Sequence, residues 1–204
     1  MENELEMIQT LFEYQNFGLA PFPIMPFSKE IHKGNKGKIF FDNAQSGIQM
    51  SEEEIYDWFG EKKLDNCGLI CGEEGNLSVL EFESDTVIIR LMSLIEKENL
   101  DKISNLIFYN FLENLYSSTT FIRTPDKKIQ FWFKFSKNLP SFLWNNNKSI
   151  KILEGINIYS SGYIVAPPSF IRKNNLIGQY EIEEGKPPVE FPNEITFFKK
   201  LLSE

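Results

Sequence analysis

Two cysteines and a single histidine in 204 residues leave too little for a disulfide framework. They also cannot form an ordinary four-ligand zinc site from Cys and His. Cys67 and Cys71 sit in the run CGLICG and read as small buried hydrophobes, in a reducing, cytoplasmic setting. No apolar run approaches the roughly 18 residues that cross a bilayer. The opening MENELEMIQT is acidic where a secretory leader starts basic. Neither membrane insertion nor secretion is therefore expected. Positive charge is also scarce: 21 Lys and Arg face 29 Asp and Glu, a formal net charge of -8. A uniformly basic nucleic-acid coat is excluded, and contact with phosphates must come from a local patch. No repeat, P-loop, zinc finger or Gly-rich dinucleotide fingerprint is present.

What remains is an ordinary globular composition, 42% hydrophobic and 25% charged, with 19 Phe that predict a Phe-rich core. Leu5, Ile8, Leu11 and Phe12 recur at helical spacing, predicting a helix over Glu2 to Asn16 that Gly18 stops. Pro21, Pro23 and Pro26 favour an extended edge-type strand. Lys29 to Lys38 is the longest basic stretch, a Gly-punctuated loop that either grips template or is simply solvated; His32 within it is expected to be exposed. Ser51 and Glu54 form a capping box for a helix containing Trp58. The runs CGLICG and NLSVLEFES, with EEGN between them, predict a hairpin. Two helical stretches follow, Asp85 to Glu98 and Leu106 to Tyr116. Thr119 to Arg123 and Ile129 to Phe135 form a strand pair around TPDKK. Lys151 to Ser160, Gly162 to Ala166 and the late run QYEIEE give further strands. The pattern is α/β (α+β): one domain over residues 1–186, a mainly antiparallel sheet flanked by helices. The doublet Pro187-Pro188 introduces a tail, 187–204, with a short helix at EITFFKKLL that either packs back or serves as a docking handle.

On an extended strand Glu81 and Glu83 share a face, about 7 Å apart, with Phe82 opposite. Such a pair suits a hard divalent cation, and also the solvent face of an edge strand. Arg123, Lys134 and Arg172 flank this region as phosphate contacts or plain surface charges. Phe131, Trp132 and Phe133 alternate on one strand; Trp132, Tyr159 and Tyr163 suit either core packing or stacking on bases.

The order of these pieces is itself informative. Tyr14, Phe17-Gly18, Pro21-Phe22-Pro23-Ile24, Asn66-Cys67-Gly68-Leu69-Ile70-Cys71-Gly72, SVLEFES, RTPDKKIQFWF and INIYSSGYIVAPPSF follow one another. This series resembles the bifunctional primase–polymerase (prim-pol) domain of the archaeo-eukaryotic primase superfamily, over residues 10–182. The most specific element is GYIVAPPS, Gly162 to Ser169. The resemblance implies an RRM-like core and template-directed nucleotidyl transfer, in which three carboxylates hold two Mg²⁺ or Mn²⁺ ions and a histidine contacts nucleotide phosphates. Position by position, Glu81 and Glu83 fall on the two motif-one aspartates, Gln130 on the histidine and Asn157 on the third carboxylate. Lys127 and Lys128 replace the Gly-Gly of the phosphate-side turn; as point charges they either bind phosphate or decorate a solvated tip. With Arg123, Arg172 and Ser169 they complete the implied phosphate-binding set.

The departures matter together, because groups that act as a unit lose activity non-additively. Asn157 brings no charge, and Gln130 offers a neutral hydrogen bond where an imidazolium makes a charge-assisted one. Glu154 could replace the missing carboxylate only through a bulge. The resemblance thus implies a degenerate prim-pol of DNA replication, binding DNA, primer–template or nucleotide beside a separate helicase or primase subunit, with no metal need if inactive. Two alternatives stand: an active metal-dependent primase using Glu81 and Glu83, and a protein-interaction module with no nucleic-acid role.

Overall fold

A computed structural model describes residues 2–32, 34–60, 66–97, 102–135, 150–153, 155–173 and 176–191. Helix α1 spans Glu2–Asn16 and ends at Gly18, whose φ of +76° is a conformation glycine adopts at no steric cost. It buries Ile8, Leu11 and Tyr14. Strand β1 (Pro21–Ile24) is an edge strand, as its prolines require. The basic stretch expected to be a loop instead enters helix α2, Asn35–Gln45. Its start was hidden because Gly34 offers no side-chain cap and Gly37 lowers helix propensity. Gly37 is there for packing: a Cβ at that position would collide with His32. His32 is itself half-buried, edge-on to Trp58 with ring centres 5.3 Å apart, rather than exposed. Helix α3 (Glu52–Phe59) carries the expected capping box between Ser51 and Glu54.

Strands β2 (Asn66–Ile70) and β3 (Ser78–Phe82) are where expected, but they do not form a hairpin. They meet only at the Gly72–Leu77 bridge and then part into different sheets. Strand β2 lies between β1 and β8 (Tyr163–Ala166) in a three-stranded sheet. Strand β3 goes to the centre of the main sheet. Helices α4 (Asp85–Lys97) and α5 (Lys102–Ser118) follow, then the hairpin of β4 (Thr120–Arg123) and β5 (Ile129–Lys134). The run expected as a single strand from Lys151 breaks at Gly155, φ +82°, into β6 (Ile150–Leu153) and β7 (Ile156–Tyr159). A hairpin the sequence did not announce, β9 (Phe170–Lys173) with β10 (Leu176–Gln179), precedes β11 (Glu181–Glu184), which pairs with β4. The chain continues past Pro187-Pro188 into β12 (Val189–Glu190), parallel to β5. Phe191 then packs on Phe133, ring centres 4.7 Å apart. The expected C-terminal helix and Glu154 lie outside the described residues.

The main sheet runs β11-β4-β5-β3-β7-β6. Within it β3, α4–α5, β4, β5 and β7 follow a split βαβ order, with β5 inserted antiparallel between β3 and β4. Its two faces bury separate cores. Leu80, Phe82, Phe131 and Phe133 face Ile88 and Leu91 of α4 and Leu112 and Leu115 of α5. Val79, Ile122 and Trp132 face α1 and the β1-β2-β8 sheet. Each fully buried aromatic or aliphatic side chain contributes about 1.5–3 kcal/mol of transfer free energy. Phe22, Phe59, Phe82, Phe131 and Phe133 are all fully buried, the Phe-rich core anticipated from composition. Among the described residues no helix is long and apolar enough to cross a membrane.

Candidate functional site

Residues directly opposite each other in an antiparallel ladder point to the same face. Glu81 of β3 is opposite Gln130 of β5 on one side and Asn157 of β7 on the other. All three therefore project toward the gap between the main sheet and the β1-β2-β8 sheet. Tyr159, two positions from Asn157 on β7, and Lys128, two positions from Gln130 just before β5 begins, join them by the same alternation.

The Glu81 carboxylate, only 3% exposed, is saturated with donors. Oε1 accepts from Lys128 Nζ at 2.8 Å, from Tyr159 OH at 3.1 Å and from Asn157 Nδ2 at 3.4 Å. Oε2 accepts from Gln130 Nε2 at 2.9 Å, and the Gln130 Oε1 accepts in turn from Trp132 Nε1 at 3.5 Å. Burial works against the Lys128 ammonium, but its bond to Glu81 and the charges of Glu81, Asp126 and Glu83 raise its pKa above the ordinary lysine value. Burial, with the Glu81 charge beside it, likewise pushes the Tyr159 phenol up. A buried charge is tolerated only with partners of this quality.

In front of this cage lies a cleft of about 240 Å³. Its floor carries Glu81, Gln130, Tyr159 and the buried Tyr180; its rim carries the more exposed Lys29, Asp126 and Lys128. The Tyr163 hydroxyl ties the Lys29 backbone carbonyl to the far wall at 2.8 Å. Lys29 Nζ lies 6.0 Å from the centre of the Tyr180 ring. For Asp126 burial pushes the pKa upward, but a 2.8 Å bond from the Thr124 hydroxyl and the charges of Lys29 and Lys128 leave it below the ordinary value.

The remaining candidates do not line the cleft. Glu83 falls beyond the end of β3, exposed in a bend, with its N–H donating to Gly155 at 2.8 Å. Arg123 is on the opposite face of the sheet, held by Glu183 at 3.0 Å and Asp85 at 3.5 Å and resting on Phe121. Arg172 is exposed near Phe27. Lys134 lies 3.9 Å from Glu190. Lys127 is exposed at the 124–128 turn with φ +67°. Ser169 is fully buried: its hydroxyl accepts from Cys67 N at 2.8 Å and donates to Cys67 O at 3.3 Å. Around it Asn66 clamps both backbone groups of Phe170, and Tyr14 OH donates to Pro167 O at 2.9 Å. The Pro167–Ser169 end of GYIVAPPS is therefore tied to α1 and β2, while Tyr163, Ile164 and Val165 of the same run line the cleft. Sequence reasoning missed Thr124, Asp126 and Tyr180 as cleft residues, and named Lys29 only as the start of a basic stretch that either grips template or is solvated. Only Thr124 and Asp126 carried a signal, through their place in TPDKK.

The family model for the bifunctional DNA primase/polymerase, N-terminal domain (Prim-Pol), matches residues 12–194, most of the chain. The chain belongs to this family. Among curated proteins no significant match is found.

For a Prim-Pol domain the divalent cation is the first group to test against this donor set. Among the described residues no three His, Cys, Asp or Glu side chains converge as ligands. Both Glu81 oxygens already accept hydrogen bonds, one from a cation, and Asn157 turns an N–H toward Glu81. A hard cation needs several oxygens facing inward. Here four donors point at the one carboxylate instead, and the residues do not fit a metal.

Proposed function

We propose that this Prim-Pol domain is an accessory module of DNA replication, working in the cytoplasm, that binds nucleotide or primer–template at the Glu81 cleft without a divalent cation and without nucleotidyl transfer. A separate helicase or primase subunit would supply the activities it lacks. Family membership supports the nucleic-acid side of this reading. The observation that carries the rest is the Glu81 carboxylate, saturated by Lys128, Tyr159, Asn157 and Gln130. Two-metal catalysis needs carboxylates free to clamp both ions; of the other three groups, Glu83 lies beyond the end of β3, and Gln130 and Asn157 stand where the resemblance implies the histidine and the third carboxylate.

With the chain's net charge of -8, any phosphate contact is local and few in number, so the salt dependence of binding should be shallow. Fluorescence anisotropy of a labelled primer–template at about 50 mM salt tests the reading. Binding should be equal in EDTA and in Mn²⁺, and should weaken in Lys29→Ala, which removes a cationic rim residue. Binding that requires Mn²⁺ would overturn it. No binding at all would favour the protein-interaction alternative.

A further inference from the structure

Three consecutive residues of β8, Tyr163, Ile164 and Val165, line the cleft. Side chains alternate faces along a strand, so one cleft meets all three only along the strand's edge. The pairing with β2 fixes which groups that edge carries. Cys71 N–H donates to the Gly162 carbonyl at 2.9 Å, and hydrogen-bonded pairs alternate along an antiparallel ladder. Leu69 and Ile164 are therefore the next such pair, and Tyr163 and Val165 turn their N–H and C=O groups away from β2. Pro21 and Pro23 of β1, which have no N–H, lie opposite Leu69 and Cys67, in keeping with these two directing their backbone groups toward β8. Among the described residues no strand pairs with the outer edge of β8. Val165 thus presents a donor and an acceptor side by side, the pattern that meets the hydrogen-bonding edge of a base, and Tyr159 and Tyr180 bring aromatic rings to the same cleft.

Charge and size narrow the ligand. Glu81 and Asp126 offset Lys29 and Lys128 within the lining, and Lys128 is already held by Glu81 at 2.8 Å. A triphosphate finds no excess of positive charge there, and two carboxylates oppose it. The volume, about 240 Å³, falls short of the roughly 300–1,000 Å³ of sites that enclose a drug-sized ligand. It has room for one planar base, with a single backbone phosphate left at the rim beside Lys29. We infer that the cleft holds one unpaired base of a DNA strand, hydrogen-bonded to the β8 edge at Val165 among Tyr159 and Tyr180, and does not select free nucleoside triphosphates. This deepens the reading above and rests on it: of nucleotide and strand, the strand is the ligand recognised.

The experiment is fluorescence anisotropy in EDTA, on the full chain, of a labelled oligothymidylate strand beside a strand of the same length that lacks bases. The abasic strand should bind about tenfold more weakly, and thymidine monophosphate and triphosphate should compete equally against oligothymidylate. Val165→Pro removes the outward N–H without removing a ladder bond, a placement that edge strands accept. It should weaken oligothymidylate about fivefold and leave the abasic strand unchanged. Should that variant not fold, the abasic comparison on the parent decides. Equal binding of the two strands would overturn this inference and leave strand binding intact, as would a folded Val165→Pro chain that binds oligothymidylate like the parent. Competition by the triphosphate far stronger than by the monophosphate would overturn it too, and leave the nucleotide reading. Primer–template binding without oligothymidylate binding would count against this inference alone. No binding of either would remove it together with the function it rests on.

Discussion

Lys128 Nζ stands 2.8 Å from Glu81 Oε1, although the two residues are 47 positions apart in the chain. The contact joins the 124–128 turn to the central strand of the main sheet. It is unequal in burial: the Glu81 side chain is 4% exposed and that of Lys128 is 29% exposed. That asymmetry gives a prediction. Lys128→Met strands an ionised carboxylate with only neutral donors and should destabilise by about 3 kcal/mol. Glu81→Gln leaves an ammonium that can turn to water, and should cost only about 1 kcal/mol. Urea denaturation of both variants measures the order; equal costs would show that the pair is not the buried cage described.

At Lys127 the backbone takes φ +67°, a left-handed conformation that costs a non-glycine residue about 1–2 kcal/mol. Lys127→Gly relieves this, offset in part by the greater entropy of a glycine in the unfolded chain. A net gain of about 0.5–1 kcal/mol is expected from the denaturation midpoint, with no change in ligand affinity.

Ser169→Ala should separate architecture from ligand binding. It leaves the Cys67 N–H unpaired at a fully buried site and should cost about 1–3 kcal/mol. The primer–template affinity of the folded fraction should be unchanged. A selective loss of affinity at unaltered stability would return Ser169 to the phosphate-binding set that the sequence motif implied.

How much of this was readable in advance depends on range. Local rules found α1, the Ser51–Glu54 box of α3 and the β4–β5 hairpin, because each is specified by neighbours within one or two turns. The pairing of Glu81 with Asn157 followed only from motif order, since nothing local sets a contact 76 residues apart. Failures came where tertiary packing overrode local signals. EEGN reads as a hairpin, yet β2 and β3 find better partners in β8 and β5, so the turn joins two sheets. Helix α2 begins without a cap and is held by Phe41 against Phe22 and Tyr163. Tyr180 reaches the cleft from a segment whose local pattern carries no chemistry, and Lys29 from a basic stretch whose pattern does not say where it lands.

Stability should fall above about pH 10, the ordinary range of tyrosine and lysine. Burial raises Tyr14 and Tyr180, and burial with Glu81 raises Tyr159; Lys128 is raised by Glu81 against the opposing effect of its burial. Each holds its proton more tightly when folded. Its contribution is therefore complete below the unfolded value and lost as pH rises toward the folded one. Tyrosinate absorbance should show Tyr14, Tyr159 and Tyr180 ionising only together with unfolding. Tyr116, pushed up to about 12 by burial and its bond to Asp85, should also lag exposed tyrosine.

The most direct measurement of the central claim is primer synthesis from labelled nucleotides on a single-stranded template, in Mg²⁺ and in Mn²⁺, with the parent beside Glu81→Gln. A carboxylate held by Lys128 predicts no product from either chain under both metals. Product from the parent that vanishes in Glu81→Gln would contradict it.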